Sequence, residues 1–359
     1  AKARRIADAT AAQAVSASRA DLFITRRPYL HEVTWGLSSG TLIAHPEDAL
    51  PLVSLYLRAQ GVFITYRSLD GSGTSSLNRG LFYWVGTREL LPAGWRWFSA
   101  CVQHGAGDDR VIYLAQSALT RVQRALEARD LVHRALNQPQ DNDSAEIVLS
   151  NLDVVLITLM GAIDVTARIA HRALGLRKDE FSAGWQRSDW LNAVGLKEPY
   201  LAQLFAEGTW NGNVVRILSR LRNSVHAAAP SPLGVSTAGV SREATLVGFP
   251  HVDGEELARL MDAVGGRDLW GMRSVIPGKH HADPGALVEQ IFAAAVELID
   301  RAMANTPVER LAGVNLVEGD SKPPDGDTFE AWQRLSVRRQ LGLAPAPSGA
   351  DPSTAADLG

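Results

Sequence analysis

Cysteine is almost absent from this chain: Cys101 is the only one in 359 residues. No intrachain disulfide can form, and no cysteine-based zinc site can be built. Lysine is nearly as scarce, at five of the 36 basic residues (Lys2, Lys178, Lys197, Lys279 and Lys322). With abundant alanine, this reads as the composition of a GC-rich genome more than as a functional signal. Cys101 has no recognisable partner, which argues against an acyl-transfer enzyme with a cysteine nucleophile. The most apolar run, residues 147–173, is broken by Asn151, Asp153, Asp164 and Arg168, so it reads as a core helix and not as a membrane span. The start, Ala1-Lys2-Ala3-Arg4-Arg5, leads into no apolar core of a signal peptide. A net charge of -3 argues against a protein that coats itself non-specifically with nucleic acid. Any nucleic-acid contact then has to come from a local patch. The expectation is a reduced, cytoplasmic globular protein with no membrane partner.

At this length two domains are expected. Residues 1–20 are Ala-rich and charged and read as an N-terminal helical arm. Residues 21–137 mix short aromatic and β-branched runs with turns, which suggests a small α+β domain. Its expected strands are 22–25, 62–67, 81–85, 95–102 and 111–114, with helices at 49–59 and 115–136. Gly71-Ser72-Gly73-Thr74-Ser75-Ser76 lacks the Gly-Lys-Ser/Thr of a phosphate loop and reads as a hairpin loop. The boundary is expected at the polar stretch 137–143 or just before the helix that precedes it. Ser144 is the expected N-cap of a long helix. Its stripe runs through Leu149, Leu152, Leu156, Leu159, Ile163, Ala167, Ala170 and Leu174, and Gly175 ends it. Phe181, Trp185 and Trp190 form an aromatic connector before a short helix at 199–206. A hairpin is expected from 235–240 and 244–249, then helices at 255–264 and 287–302, the latter behind Asp283-Pro284. Residues 307–359 read as a C-terminal extension with one helix near 329–340 and a disordered end.

The chemistry-bearing stretch is the helix containing Leu221-Arg222-Asn223-Ser224-Val225-His226. Val214, Leu218, Leu221 and Val225 form its buried stripe. At about 100° per residue, Arg222 and His226 lie about 40° apart, and Arg220 about 120° from His226. A fixed cation thus stands beside a side chain that takes and gives protons near neutral pH, a pairing suited to phosphodiester cleavage. Between Glu207 and Glu243 there is no acidic residue, while Arg216, Arg220, Arg222 and Arg242 fall in that span. This predicts a local positive region that binds phosphate in a salt-dependent way.

On that motif, the long helix carrying Ala162-Ile163-Asp164-Val165-Thr166-Ala167-Arg168 and the closing helix 287–303, residues 145–305 resemble the HEPN superfamily (higher eukaryotes and prokaryotes nucleotide-binding domains). The resemblance implies a mainly α protein: an up-and-down HEPN-like helical bundle over residues 144–306, preceded by the small α+β domain. Family members typically place about four to six residues between Arg, often followed by Asn, and His. Here Arg222 and His226 are separated by three, and Arg220 and His226 by five. The resemblance further implies a metal-independent endoribonuclease or RNA-binding protein, acting as a homodimer in phage defence or beside an antitoxin, with no cofactor. His226 would be general acid or base and Arg222 or Arg220 would stabilise the phosphorane-like charge. Asn223 would position phosphate or ribose, Arg216 would bind phosphate, and Asp164 would orient His226 or an arginine. Arg168, at i+4, is a simpler partner for Asp164.

A second class of function fits the same residues: a non-catalytic dimerisation, sensor or assembly protein built on a degenerate bundle. Three further features read as structural. Lys279-His280-His281-Ala282-Asp283 reads as a surface loop before a helix, not as a metal site. His171 and Arg172 complement the end of the long helix. Tyr83, Trp84, Trp95, Trp97 and Phe98 read as the core of the α+β domain, with base stacking the lesser reading.

Overall fold

In a computed structural model, the described residues are 2–18, 20–32, 42–67, 74–107, 109–138, 141–177, 179–227, 231–236, 243–249, 251–274, 279–321 and 331–343. The protein is mainly helical. Its contacts divide the chain into residues 1–82 with 329–359, and residues 83–328.

The first unit contains α1 (Lys2–Ala17), β1 (Leu22–Ile24), α2 (Pro28–Glu32), β2 (Leu42–Ala44), α3 (Pro46–Ala59), β3 (Ile64–Arg67) and β4 (Thr74–Ser76). β1 and β2 pair in parallel, and β3 and β4 pair antiparallel, so Thr74–Ser76 of the expected hairpin loop is strand, while residues 71–73 lie outside the described residues. The strands expected at 22–25 and 62–67 therefore form. Arg27 donates to the buried Asp8 carboxylate through Nη1 (2.5 Å). The C-terminal segment is not a free extension throughout. The late helix, Ala331–Gln340, packs on α3, and Arg58 donates to the Gln340 carbonyl at 3.1 Å. The end expected to be disordered, 344–359, lies outside the described residues.

The second unit begins at Tyr83, not after residue 137. The segment expected to supply three strands is helical instead: α4 (Arg79–Leu90), in which the division falls, α5 (Gly94–Gly105) and α6 (Asp109–Leu136). The physical reason is visible in what is buried. Gly94, Trp97, Ala100 and Cys101 of α5 recur at helical spacing, as do Val111, Ala115, Ala118, Val122 and Ala125 of α6. Short aromatic and β-branched runs carry strand propensity, but tertiary burial at a 3.6-residue period overrides it. The cluster of Tyr83, Trp84, Trp95, Trp97 and Phe98 therefore belongs to helices. The buried Arg88 guanidinium lies 3.7 Å from the ring centroid of Trp95 and also faces Trp84 and Phe98.

Next come α7 (Asn142–Ala173), α8 (Ser188–Gly195), α9 (Pro199–Leu204), α10 (Trp210–Ala227), β5 (Ser231–Ser236), β6 (Glu243–Phe249), α11 (His251–Asp262), β7 (Met272–Arg273), β8 (His280–Ala282) and α12 (Pro284–Asn305). With α1 to α12 so placed, the late helix over Ala331–Gln340 is α13. Asp141, not Ser144, caps α7. The Ser144 amide donates to Asp141 Oδ1 (2.7 Å) while the Asp141 amide donates to Ser144 Oγ (2.8 Å), a reciprocal capping box. Gly175 ends the helix at φ +57°, in the left-handed region where a glycine is favoured, with Leu176 N–H returning to the His171 carbonyl. Among the described residues α7 has the length and apolarity of a membrane span. It packs along α6, α10 and α12, with Leu152, Leu156, Leu159, Ile163, Ala167 and Ala170 buried. These four long helices form the bundle around which the core is built.

Beside them lies a four-stranded antiparallel sheet in the order β5-β6-β8-β7. The expected hairpin is real, but its first strand sits earlier in the chain, with Pro232 opposite Val247 on an edge strand, where proline is tolerated. The expected surface loop at Lys279–Asp283 is corrected: residues 280–282 are an interior strand, and His281 is buried.

Candidate nucleic-acid site

The motif helix is set by its neighbours. Thr209 Oγ1 accepts from Gly212 N–H at 3.1 Å at the start of α10, and Asn211 Nδ2 donates to the Leu204 carbonyl at 3.0 Å. Val214, Val215, Ile217, Leu218 and Leu221 are buried. The polar edge then divides into two charge environments.

Along the first half of that edge the arginines are neutralised. Arg216 pairs with Glu207 (2.5 Å) and stands 3.7 Å from Glu256, while Arg220 pairs with Glu256 at 2.9 Å. The positive region read from residues 208–242 is therefore corrected in part. The acid-free interval in sequence is closed in space by α11, which delivers Glu256 to α10.

Arg222 lies in the second environment. It is half-buried, and its buried Nε has no hydrogen-bond partner among the described residues. Its charge acts on Asp164 of α7. Burial raises the Asp164 carboxyl above the ordinary carboxylate range. Arg222, Arg168, a hydrogen bond from Gln186 and Arg187 all act in the opposite direction. Asp164 is thus brought to an arginine of the motif, and also to Arg168 one turn along its own helix. Asn223 is exposed. His226 lies in the last turn of α10, i+4 from Arg222, and its side chain lies outside the described residues.

The connector that presents Gln186 and Arg187 is fixed on α7 by tryptophans. Trp185 Nε1 donates to Thr166 Oγ1 at 2.9 Å, and Trp190 Nε1 donates to His171 Nδ1 at 3.2 Å. His171 is therefore a buried acceptor, not a charge on the helix end. Trp185 also stacks on Phe205 with ring centroids 4.0 Å apart. Arg172 donates to Glu180 at 2.9 Å, so the end of α7 is tied to the start of the connector.

A second Arg-x-x-x-His pair escaped the sequence reading. Arg129 and His133 of α6 converge on Glu289 of α12. Arg129 Nε and Nη2 donate to the two carboxylate oxygens at 2.6 and 2.8 Å, and His133 Nε2 bonds the same carboxylate. Burial would raise Glu289, but His133 and Arg129 outweigh it and hold the carboxyl down at about 2. Neighbouring Asp130 accepts from Tyr83 Oη at 2.8 Å. The spacing on α6 was legible; Glu289, 160 residues from Arg129, was not.

Other sequence candidates resolve as structure. Cys101 is buried, and burial pushes its thiol up to about 12, so it is protonated and unreactive at neutral pH. His281 is held below its ordinary range by burial, with Lys279 and His280 adding to the effect. Among the described residues no three His, Cys, Asp or Glu side chains group as a metal site. No family model matches this chain, and no curated protein or solved structure matches it either.

Proposed function

We propose that this protein is a HEPN-like, metal-independent endoribonuclease in which α6, α7, α10 and α12 are the HEPN-like bundle. The observation that carries the reading is the electrostatic coupling of Arg222 on α10 to Asp164 on α7, with Asn223 next in sequence and His226 one helical turn on. Arg222 is the motif arginine whose surroundings leave cationic capacity for a phosphate, because Arg168 and Arg187 act on the same carboxylate.

In this reading His226 removes the proton from a ribose 2′-hydroxyl. The 2′-oxygen attacks the adjacent phosphorus. The 5′-oxygen leaves and takes a proton from a second acid, His226 of the partner subunit across a two-fold axis. The products are a 2′,3′-cyclic phosphate and a 5′-hydroxyl. Arg222 stabilises the charge that develops on the phosphorane oxygens. Asn223 positions phosphate or ribose. Arg216 and Arg220 take part only by exchanging Glu207 and Glu256 for phosphate. A cytoplasmic setting in phage defence, or beside an inhibitory antitoxin, is the biological context this reading implies.

Those ion pairs favour a second reading, a non-catalytic dimerisation or assembly module in which α10 is a structural helix. Cleavage of a labelled RNA pool in EDTA by wild type and His226→Ala separates the two. Loss of cleavage in the variant, with cyclic phosphate ends from the wild type, is expected of the ribonuclease. Equal cleavage by both proteins, or none by the wild type, removes His226 as the reacting group and leaves the second reading.

A further inference from the structure

Phe181, in the connector after α7, is 61% exposed, a large aromatic surface left in water. It is not mobile in isolation. Asp179 accepts from its amide at 3.1 Å, and the neighbouring Glu180 is held by Arg172. Two guanidinium groups attend the ring. That of Arg168 lies 5.2 Å from the ring centroid and that of Arg110 lies 5.8 Å. Even with both guanidinium groups in place, most of the Phe181 surface stays open to solvent.

Charge accounting points to an anionic occupant. The charges of Arg222, Arg168 and Arg187 all act on the Asp164 carboxylate. Three guanidinium groups therefore share one carboxylate. Arg168 is common to the ring and to Asp164, and its buried Nε has no hydrogen-bond partner among the described residues. The ring is thus one side chain away from the proposed reaction centre. Planar rings and guanidinium groups stack on bases without regard to sequence, and arginines take the intervening phosphates. A duplex keeps its bases stacked inside, so a lone ring and its flanking cations suit an unpaired strand.

We propose that Phe181 is a base-stacking platform for single-stranded RNA, with Arg168 and Arg187 binding the phosphates that lead from the stacked base toward Arg222. This inference rests on the ribonuclease reading for its ligand and adds a subsite to it. It places Phe181 as a binding residue that holds the strand in line, not as a reacting group.

The test uses the full chain and a fluorescein-labelled, mixed-sequence 2′-O-methyl RNA, which has no free 2′-hydroxyl and so reports binding alone. Phe181→Ala is expected to weaken binding about ten-fold, and Phe181→Trp to retain it. Arg168→Ala is expected to weaken binding and to lower the slope of log affinity on log salt by about one. Because Phe181 is exposed, an unchanged melting temperature verifies the fold. The same RNA annealed into a duplex is expected to bind more weakly than the single strand. No binding by the wild type, unchanged affinity in Phe181→Ala, or equal affinity for duplex would overturn the platform. Dissociation of a dimer by Phe181→Ala with RNA affinity unchanged would also overturn it, in favour of a protein contact. Cleavage of unmodified RNA keeps the two claims apart. Cleavage lost in His226→Ala with binding indifferent to Phe181 leaves the ribonuclease and removes the platform. Binding that depends on Phe181, with no wild-type cleavage in EDTA, leaves the platform and removes the ribonuclease.

Discussion

Arg129 and His133 on α6, and Arg222 and His226 on α10, are the same local pattern: arginine and histidine at i and i+4 on a long helix. What surrounds them differs. The first pair closes on one carboxylate of α12, which takes two hydrogen bonds from Arg129 and one from His133. The arginine of the second pair shares the half-buried Asp164 with two other guanidinium groups and has a buried Nε without a partner among the described residues. Spacing on a helix therefore says which groups meet. The counter-charge brought from another helix says whether they are spent on structure or left able to hold a ligand.

Two substitutions test that contrast with the largest effects. Arg129→Ala leaves Glu289 without its bidentate partner in a part-buried site and uncovers Phe292, which the guanidinium faces at 5.7 Å. It is expected to cost about 3 kcal/mol in urea denaturation. Arg222→Ala removes a cation from a group of three and is expected to cost under about 1 kcal/mol. In the ribonuclease reading the same change lowers cleavage by about 100-fold or more. Equal stability losses would break the comparison, because both arginines would then be structural.

Acid separates the sites next. The Glu289 carboxyl, held at about 2 in the fold against an ordinary 4.5, makes a contribution that is complete above about pH 4.5. That contribution fades as pH falls from there toward 2, because the unfolded chain binds the proton first. Its side chain keeps 44% of its surface in solvent, so the amount is modest, about 1–2 kcal/mol. Glu289→Gln is expected to flatten this part of the stability-against-pH curve. An unchanged curve would mean that the clamp contributes no net stability.

Asp300 sharpens the point from the opposite side. Its carboxylate accepts from Ala93 N–H at 2.8 Å, and burial pushes its pKa up to about 6, a shift that this hydrogen bond only partly opposes. The fold binds the proton more tightly than the unfolded chain between about 3.8 and 6, so stability falls as pH rises through that window. Asp300→Asn keeps the acceptor oxygen and removes the charge. At pH 7.5 it is expected to raise stability by about 1 kcal/mol, and at pH 3.5 to change little, read as the shift in melting temperature. A destabilised variant at pH 7.5 would show that the charge itself is needed.

Periodicity exposed most of the bundle and part of the site. Long stripes such as Leu152 to Leu174 gave α7, and the Asp283-Pro284 signal gave the start of α12, where the Asp283 carboxylate caps Ala286 N–H at 2.9 Å. The helices α4, α5 and α6 were partly hidden because Phe82, Tyr83, Val85, Trp97 and Val111 are strand-favouring residues buried at helical spacing. The site was legible only as far as one helix carries it. Arg222 and His226 share α10, and Asp164 could be named because it interrupts an apolar stripe. Glu256, Gln186 and Arg187 reach the site by tertiary packing, which no local pattern encodes. Phe181 was visible as part of an aromatic connector, but its exposure and its arginines were not.

The smallest effect concerns the neutralised half of α10. Glu256 binds Arg220 at 2.9 Å and stands 3.7 Å from Arg216, with Arg220 exposed and Arg216 partly so. Exposed pairs contribute little, so Glu256→Gln is expected to cost under about 0.5 kcal/mol. Its consequence for binding is larger than its consequence for folding. Removing that carboxylate leaves Arg220 with a neutral amide and Arg216 with Glu207 alone. Phosphate then competes with a weaker partner, so affinity for single-stranded 2′-O-methyl RNA is expected to rise about three-fold, with a steeper salt dependence. If affinity stays fixed while Arg168→Ala lowers it, the strand follows the Asp164 side of α10 and never crosses to Arg216 and Arg220. If neither substitution alters affinity, the charge contrast along α10 has no bearing on nucleic acid, and the helix serves the bundle alone.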